Sequence, residues 1–276
     1  MSLPSPDSRS TVLITGASAG IGTELARQLA ARGHHVTLVA RRKERLEDLV
    51  AELDARPNGS SGAAVEPCDL ADEAARGELI AKLKRRKRHV AGVCNNAGFG
   101  GYGRFDLMPL EREVEEVRLN VGALHELTGA FLPDMVERGE GAVLNVASTA
   151  AFQPIAGFAT YAATKAFVLA FSEAVHAELA GTGVSVTSLC PGPTRSEFGE
   201  TAGMGDMEKS SPDLLFQSAE TVARAGVDAM IEGRRSVIPG VRNKASAFGG
   251  RLIPRTILLP VTRRAAGKRL LAPAKD

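Results

Sequence analysis

Short apolar runs alternate along the chain with longer stretches of helical period. Residues 11–15 (TVLIT), 35–40 (HVTLVA), 63–67, 90–94, 142–146 and 184–189 are apolar on successive positions, and 235–239 is a shorter seventh run. Strands that read as continuous rather than alternating apolar runs are covered on both faces. Between them, 21–32 places Leu25 and Leu29 on one helical face. Residues 43–55 do the same with Leu46, Leu49, Val50 and Leu53. Further helical stretches are expected at 71–88, 110–132, 160–179 and 219–231, and PNGSSG at 57–62 reads as a loop. Strand–helix alternation with short connections predicts an α/β fold, a doubly wound parallel sheet (Rossmann fold) of about seven strands with helices on both faces. The expected organisation is a disordered Ser/Pro-rich segment 1–9, one domain over 10–241, and a tail over 242–276.

Composition narrows the function classes. A chain of 276 residues buries roughly 75% of its unfolded surface, enough for a core without staples. No run of 18 apolar residues is long enough to span a bilayer, and MSLPSPDSRS lacks the apolar centre of a signal peptide. Three cysteines, Cys68, Cys94 and Cys190, form no CxxC and leave an odd count. Together these features lead to an expected cytoplasmic location with reduced thiols. No His/Cys spacing suits a metal, so none is expected. The net charge of +2 hides an asymmetry: residues 234–276 hold 11 Lys/Arg and one acid, a local charge of +10 on a body of −8. Such a tail can attract polyanions. It lacks the interleaved aromatics of a base-stacking surface, Phe248 excepted, so nucleic acid is not an expected partner and a solvated basic face or a subunit contact is the favoured reading.

The first candidate chemistry lies where the first strand meets the first helix. Residues 15–22 read TGASAGIG. Glycines there allow a sharp turn and close approach to a pyrophosphate, and the helix N-terminus behind them offers free N–H groups. Gly16, Ser18, Gly20, Ile21 and Gly22 are the expected contacts. The spacing is Gly-x3-Gly-x-Gly, not GxGxxG. At the end of the second strand, an Asp or Glu would mark recognition of a ribose 2′-hydroxyl. This chain has Ala40 followed by Arg41 and Arg42. Two guanidiniums and no carboxylate favour a 2′-phosphate, hence NADP(H) over NAD(H), unless both arginines merely open an exposed helix. Asp69 and Leu70 end the third strand at the same edge. Asp69 is placed for an adenine amino group or for a helix N-cap before Ala71.

A second cluster follows the fifth strand. Tyr161 and Lys165 are four apart on an expected helix, so they share a face, and Ser148 ends the strand thirteen residues earlier. Strand C-termini are where ligands sit in such sheets. A phenol near pKa 10 is a poor acid or base at neutral pH, but a nearby ammonium favours phenolate. Tyr161 can then exchange a proton with a carbonyl or alcohol oxygen, and Ser148 can hydrogen-bond that oxygen. Hydride transfer belongs to the nicotinamide.

Taken in order, TGASAGIG, NNAG at 95–98, Asn120, Ser148, Tyr161-Ala-Ala-Thr-Lys165 and Pro191-Gly192 resemble the short-chain dehydrogenase/reductase family, single-domain branch, over about residues 10–240. The resemblance implies roles that the residues alone do not give. NNAG supports the adenosine half, with Asn96 near its ribose. Asn120 holds a water on a proton relay through Lys165, which also bonds the nicotinamide ribose. Pro191, Gly192, Thr194 and Ser196 lie by the nicotinamide carboxamide. Asn120, Ser148, Tyr161 and Lys165 form the catalytic set. Homodimers or homotetramers formed through the two long helices are also implied. Where NADP members often carry a basic residue before the second glycine, this chain has Ala19, so Arg41 carries more of the phosphate recognition, with Ser18 or Arg42.

The expected reaction joins a ketone and a secondary alcohol. An apolar or 3-oxoacyl substrate is preferred because the candidate specificity loops hold Phe99, Phe152, Phe158, Phe198 and Met204. Residues 197–212 read either as a lid or as a plain surface loop. The tail segment 252–261 alternates apolar patches with Arg251, Arg255, Arg263 and Arg264, suiting a weak membrane-surface contact or subunit packing, and Pro254 and Pro260 interrupt any long helix. The competing class is a non-catalytic NADP-binding regulator, against which the intact Ser148, Tyr161 and Lys165 weigh. An epimerase or dehydratase of the longer branch would need more chain than follows residue 241.

Overall fold

The computed structural model describes residues 2–55, 62–205 and 211–267. The expected 57–62 loop therefore falls almost wholly outside the described residues, as do parts of the 197–212 segment and of the tail. Seven parallel strands form one sheet in the order β3-β2-β1-β4-β5-β6-β7. They are β1 (Ser10–Thr15), β2 (Val36–Ala40), β3 (Ala63–Pro67), β4 (His89–Asn95), β5 (Gly141–Val146), β6 (Val184–Leu189) and β7 (Ser236–Val237). The chain winds outward from β1 in one direction to β3, then returns to β4 on its other side. That reversal leaves a crevice at the C-terminal ends of β1 and β4.

Both faces of the sheet are apolar because both are covered. Val12 and Ile14 point to one face with Val36 and Leu38, where α1 (Gly20–Ala31), α2 (Lys43–Asp54) and α8 (Ala219–Ile231) pack. Leu13 and Val39 point to the other, against α3 (Glu73–Lys84), α5 (Leu124–Arg138) and α6 (Ala159–Glu178). Alternate side chains of each strand thus enter different cores, which is why the strands read as unbroken apolar runs.

The structure departs from the expected elements in three places. Residues 2–9 are not disordered: Leu3 is buried in the core and Ser2 donates through Oγ to the Gly141 carbonyl at 2.9 Å. A single apolar side chain anchors them, too little to register as a periodic pattern. The long helical stretch from 110 divides into α4 (Leu110–Val117), a π-helical turn (Arg118–Ala123) and α5, which runs to a left-handed Gly139. Third, the tail as far as residue 266 is helical, with α9 (Val241–Leu252) and α10 (Arg255–Ala266) separated at Pro254, while Pro260 lies within α10 and does not end it. A short helix, α7 (Phe198–Thr201), lies in the expected lid segment.

Candidate active site

The glycine turn is set by contacts as well as by conformation. Gly16 has φ 63°, and a Cβ there would sit 2.9 Å from Ala97 Cα. A Cβ on Gly22 would lie 2.1 Å from the Gly16 carbonyl oxygen, so α1 can approach the turn only with glycine at that position. Asn96 braces the turn: its Nδ2 donates to the Thr15 and Gly16 carbonyls at 3.0 and 3.3 Å. Thr15 Oγ1 accepts the Asn96 and Ala97 amides at 2.9 and 3.0 Å. The N-terminus of α1 carries no side-chain cap, and Gly20 and Ile21 line the crevice there. Uncapped N–H groups at this end suit an anion.

One cavity of about 820 Å³ joins this turn to the ends of β4, β5 and β6. It brings together nearly every expected site residue: Gly16, Ser18, Gly20, Ile21, Arg41, Arg42, Asp69, Leu70, Asn96, Ser148, Tyr161, Lys165, Pro191, Gly192, Thr194 and Ser196. Gly22 lies behind the turn and Asn120 behind the wall. At the adenosine end, Arg42 donates to Ser18 Oγ at 3.2 Å and pairs with Glu197 at 2.8 Å. Arg45 shares Glu197. The arginines hold that carboxyl below its ordinary range, Arg45 foremost. Arg41 stands 3.7 Å from Glu115 and 4.0 Å from Asp69. Asp69 accepts from the Ala71 amide at 3.0 Å, but Asp72 is the cap of α3, taking the Ala74 and Ala75 amides. These residues fit a phosphorylated dinucleotide: exposed guanidiniums at the strand end, uncapped helix N–H groups, and one cavity lined by both Arg41 and Lys165.

At the other end, α6 presents Tyr161 and Lys165 on one face. Lys165 Nζ donates to the Val146 carbonyl at 2.8 Å and lies 5.7 Å from the Tyr161 ring centre. Ser148 opens the short turn Thr149–Phe152 and accepts the Ala150 amide at 3.1 Å. Asn120 sits in the π turn, where its amide pairs with both backbone groups of Phe99 at 3.1 and 2.8 Å and donates to Thr164 Oγ1 at 3.2 Å. The electrostatics correct one expectation. Burial pushes the Tyr161 phenol up to about 12, against a lowering hydrogen bond with Ser148, with the Glu116 carboxylate adding to the rise. Burial also brings Lys165 down to about 8, with Glu116 opposing it. In the protein alone, desolvation outweighs the ammonium's pull on the phenol.

Glu116 was not among the expected residues. It is fully buried one helical turn before Asn120, accepts the Gly101 amide at 3.1 Å, and has Oε1 without a partner among the described residues. Burial first, then the neighbouring Glu113, raises it to about 7. Glu113 accepts the Thr160 hydroxyl. The spacing of 113, 116 and 120 is the signal that could have found this pair, since i, i+3 and i+7 share a helix face. Arg112 was also missed. It lines the cavity 5.7 Å over the Phe99 ring, with Nε unpartnered among the described residues.

The wall beyond Tyr161 is apolar. Phe158 and Phe198 pack on the Tyr161 ring at 5.6 and 5.2 Å, and Phe99, Met204, Ile155, Leu215 and Phe216 complete it. Phe152 does not join it. Its ring packs into the small core with Val168 and Leu169, because the turn after Ser148 points it inward.

Comparison with known proteins agrees with this geometry. The family model for short chain dehydrogenases matches residues 10–206. This chain belongs to that family. Among curated relatives, the NADP-dependent 3-hydroxy acid dehydrogenase YdfG of Salmonella typhi is 38% identical over 205 residues, 72% of this chain and 79% of the relative. The serine 3-dehydrogenase of Rhizobium radiobacter is 36% identical over 213 residues, 77% of this chain and 82% of its own length. Among solved structures, a short-chain dehydrogenase from Sphingobium yanoikuyae in complex with NADPH is 32% identical, with TM-score 0.78 over 93% of this chain and 94% of that one. As a family member, the chain is an oxidoreductase.

Proposed function

We propose that the chain is an NADP(H)-dependent oxidoreductase acting on the CH–OH group of a secondary alcohol, or on the matching ketone, with an apolar or 3-oxoacyl body. The observation that carries this reading is the single cavity joining the uncapped glycine turn to Tyr161, Lys165 and Ser148, with an aromatic wall beyond. Bound NADP(H) supplies the hydride and, when oxidised, a positive ring beside the phenol. Arg41, Arg42 and Ser18 take the 2′-phosphate. Gly20, Ile21 and the α1 N-terminus take the pyrophosphate. Asp69 and Leu70 flank the adenine. Pro191, Gly192, Thr194 and Ser196 line the carboxamide end.

The protein's own contribution is to place and tune the proton. Ser148 hydrogen-bonds the substrate oxygen and orients it on Tyr161. The phenol donates its proton to that oxygen in reduction and receives it in oxidation. Lys165 stabilises the phenolate and reaches the nicotinamide ribose. Asn120 fixes the loop at Phe99 that borders the relay. Phe158, Phe198 and Phe99 exclude water and seat the apolar body.

Tyr161→Phe tests the assignment. The variant is expected to lose at least a thousandfold in the rate of NADPH oxidation with apolar ketones while binding NADPH as the wild type does, by fluorescence titration. Equal turnover by both proteins would falsify it. A second reading, a substrate bearing a free carboxylate, is favoured by one observation, the cation of Arg112 in the cavity wall. Comparing a 3-oxo acid with its ester separates the two readings. The pairing of subunits is proposed through α5 and α6, whose outer face stacks His125, Phe167 and Phe171 in a ring cluster.

A further inference from the structure

The tail helices carry a surface that the active site does not use. On α9, Asn243, Ala247 and Gly250 face the body of the protein at i, i+4 and i+7. Asn243 donates to Gln217 and to the Pro239 carbonyl at 2.8 and 2.9 Å. A Cβ on Gly250 would lie 2.6 Å from the Gln153 side chain, so this helix is pressed onto the rim of the cavity. The opposite face holds Val241, Ala245, Phe248 and Leu252 at i, i+4, i+7 and i+11. Its large side chains are 82%, 61% and 78% exposed for Val241, Phe248 and Leu252. That is a continuous apolar stripe aimed at solvent.

On the next helix the exposed apolar side chains are not confined to one face. Leu258 and Ala266 pack inward, while Ile257, Leu259 and Val261 are exposed. Cations accompany these side chains, Arg242, Lys244 and Arg251 on α9 and Arg255, Arg263 and Arg264 on α10, with no Asp or Glu anywhere from 241 to 267. Arg242 donates to the Leu214 carbonyl at 3.0 Å.

We propose that α9 and α10 form a docking surface for an anionic lipid bilayer, lying in the headgroup region with the α9 stripe and the exposed apolar side chains of α10 inserted and the cations on lipid phosphates. Charge decides between occupants. A two-fold contact with a second copy would bring these cations against their own mates with no acid on either stripe to offset them. A bilayer of anionic lipid offers apolar depth and negative charge together. Docked this way, the cavity rim at Gln153 lies about one helix diameter, roughly 10 Å, from the membrane. Delivery of a lipid-dissolved ketone through that rim rests on the proposed function; the docking itself does not.

Flotation of the full chain with vesicles tests this. Vesicles of phosphatidylcholine with about 30% phosphatidylglycerol are expected to bind it at least tenfold better than phosphatidylcholine alone, with the gain lost at high salt. Phe248→Ser/Leu252→Ser and, separately, Lys244→Gln/Arg251→Gln are each expected to weaken binding about tenfold. Both should keep wild-type melting and wild-type reduction of a water-soluble ketone. Sedimentation velocity of the same variants gives the alternative. If wild type fails to float with anionic vesicles, or binds both vesicles equally, the proposal is overturned. It is likewise overturned if Phe248→Ser/Leu252→Ser splits an oligomer without changing vesicle binding. Loss of ketone reduction with vesicle binding intact would touch only the enzymatic reading.

Discussion

Glu116 places a carboxyl group where the two titrating groups of the site feel it. It raises Lys165 and Tyr161 alike, while burial and Glu113 raise Glu116 itself to about 7 from an ordinary 4.5. Lys165 and Arg112 pull it down, as does the Gly101 amide. Glu116→Gln removes the negative charge but keeps the acceptor for Gly101. The basic limb of the pH–rate profile is then expected to move to lower pH, because both the phenol and the ammonium lose a neighbour that favours their protonated forms. Stability should respond with a definite sign. An acid with a raised folded-state pKa favours the fold below its unfolded value, and this contribution is lost as pH rises from about 4.5 to about 7. The wild type should therefore lose on the order of 2–3 kcal/mol across that window that the glutamine variant keeps, read from denaturant melts at pH 4.5 and 8. A pair of arginines sets the other end of the site. Replacing Arg41 and Arg42 together by Ala removes charge-assisted bonds worth about 1.5–3 kcal/mol each to a phosphate. KM for NADPH should rise at least a hundredfold while KM for NADH moves little, measured by initial rates with each cofactor.

At the scale of elements, what could be read from sequence was whatever follows from period. Leu25 and Leu29 gave α1, and the apolar run TVLIT gave β1, because helix and strand spacings leave direct traces. The glycine turn, Arg41 and the Tyr161–Lys165 spacing were legible for the same reason: each depends on short-range geometry at one strand–helix junction. The π turn was not. It inserts one residue between α4 and α5 and turns Asn120 onto Phe99, yet RLNVGA has nothing that ordinary helix lacks. Phe152 was misplaced because an aromatic in a loop carries no mark of which way the loop folds. Leu3 was missed because burial by tertiary contact needs no period. Its side chain enters the core beside Gly92, where a Cβ would sit 2.9 Å from Leu3 Cδ1. Leu3→Ala is expected to cost about 2–4 kcal/mol, a drop of roughly 5–12 °C in Tm by calorimetry. A variant melting like wild type would show that the segment before β1 is dispensable to the core.

Across the whole molecule, acid and base act on opposite parts of the sheet. His35 begins the turn into β2 on the strand-start edge, remote from the active site at the strand ends. Its ring is buried, with Nδ1 2.8 Å from Thr11 Oγ1, which also lies 2.9 Å from Thr37 Oγ1. Burial first, then Arg88 and Arg86, lower His35 to about 4. His34 and His89 are lowered as well, each by burial first. A base whose folded-state pKa is depressed contributes stability that is present above its unfolded value near 6.5 and is lost as pH falls toward about 4. This runs against Glu116, whose contribution grows over much of the same range. The histidines outnumber the single acid and His35 alone spans about 2.5 pH units, so the molecule as a whole should lose stability on acidification. His35→Gln keeps a polar side chain for Thr11 but cannot take up a proton. Its melting temperature is expected to fall below wild type at pH 7.5, where neutral His35 packs undisturbed. The gap should narrow by on the order of 2–3 kcal/mol by pH 4.5, as the unfolded wild-type chain takes up a proton that the buried imidazole does not. Parallel melting curves for the two proteins from pH 7.5 to 4.5 would assign the acid sensitivity to groups other than His35.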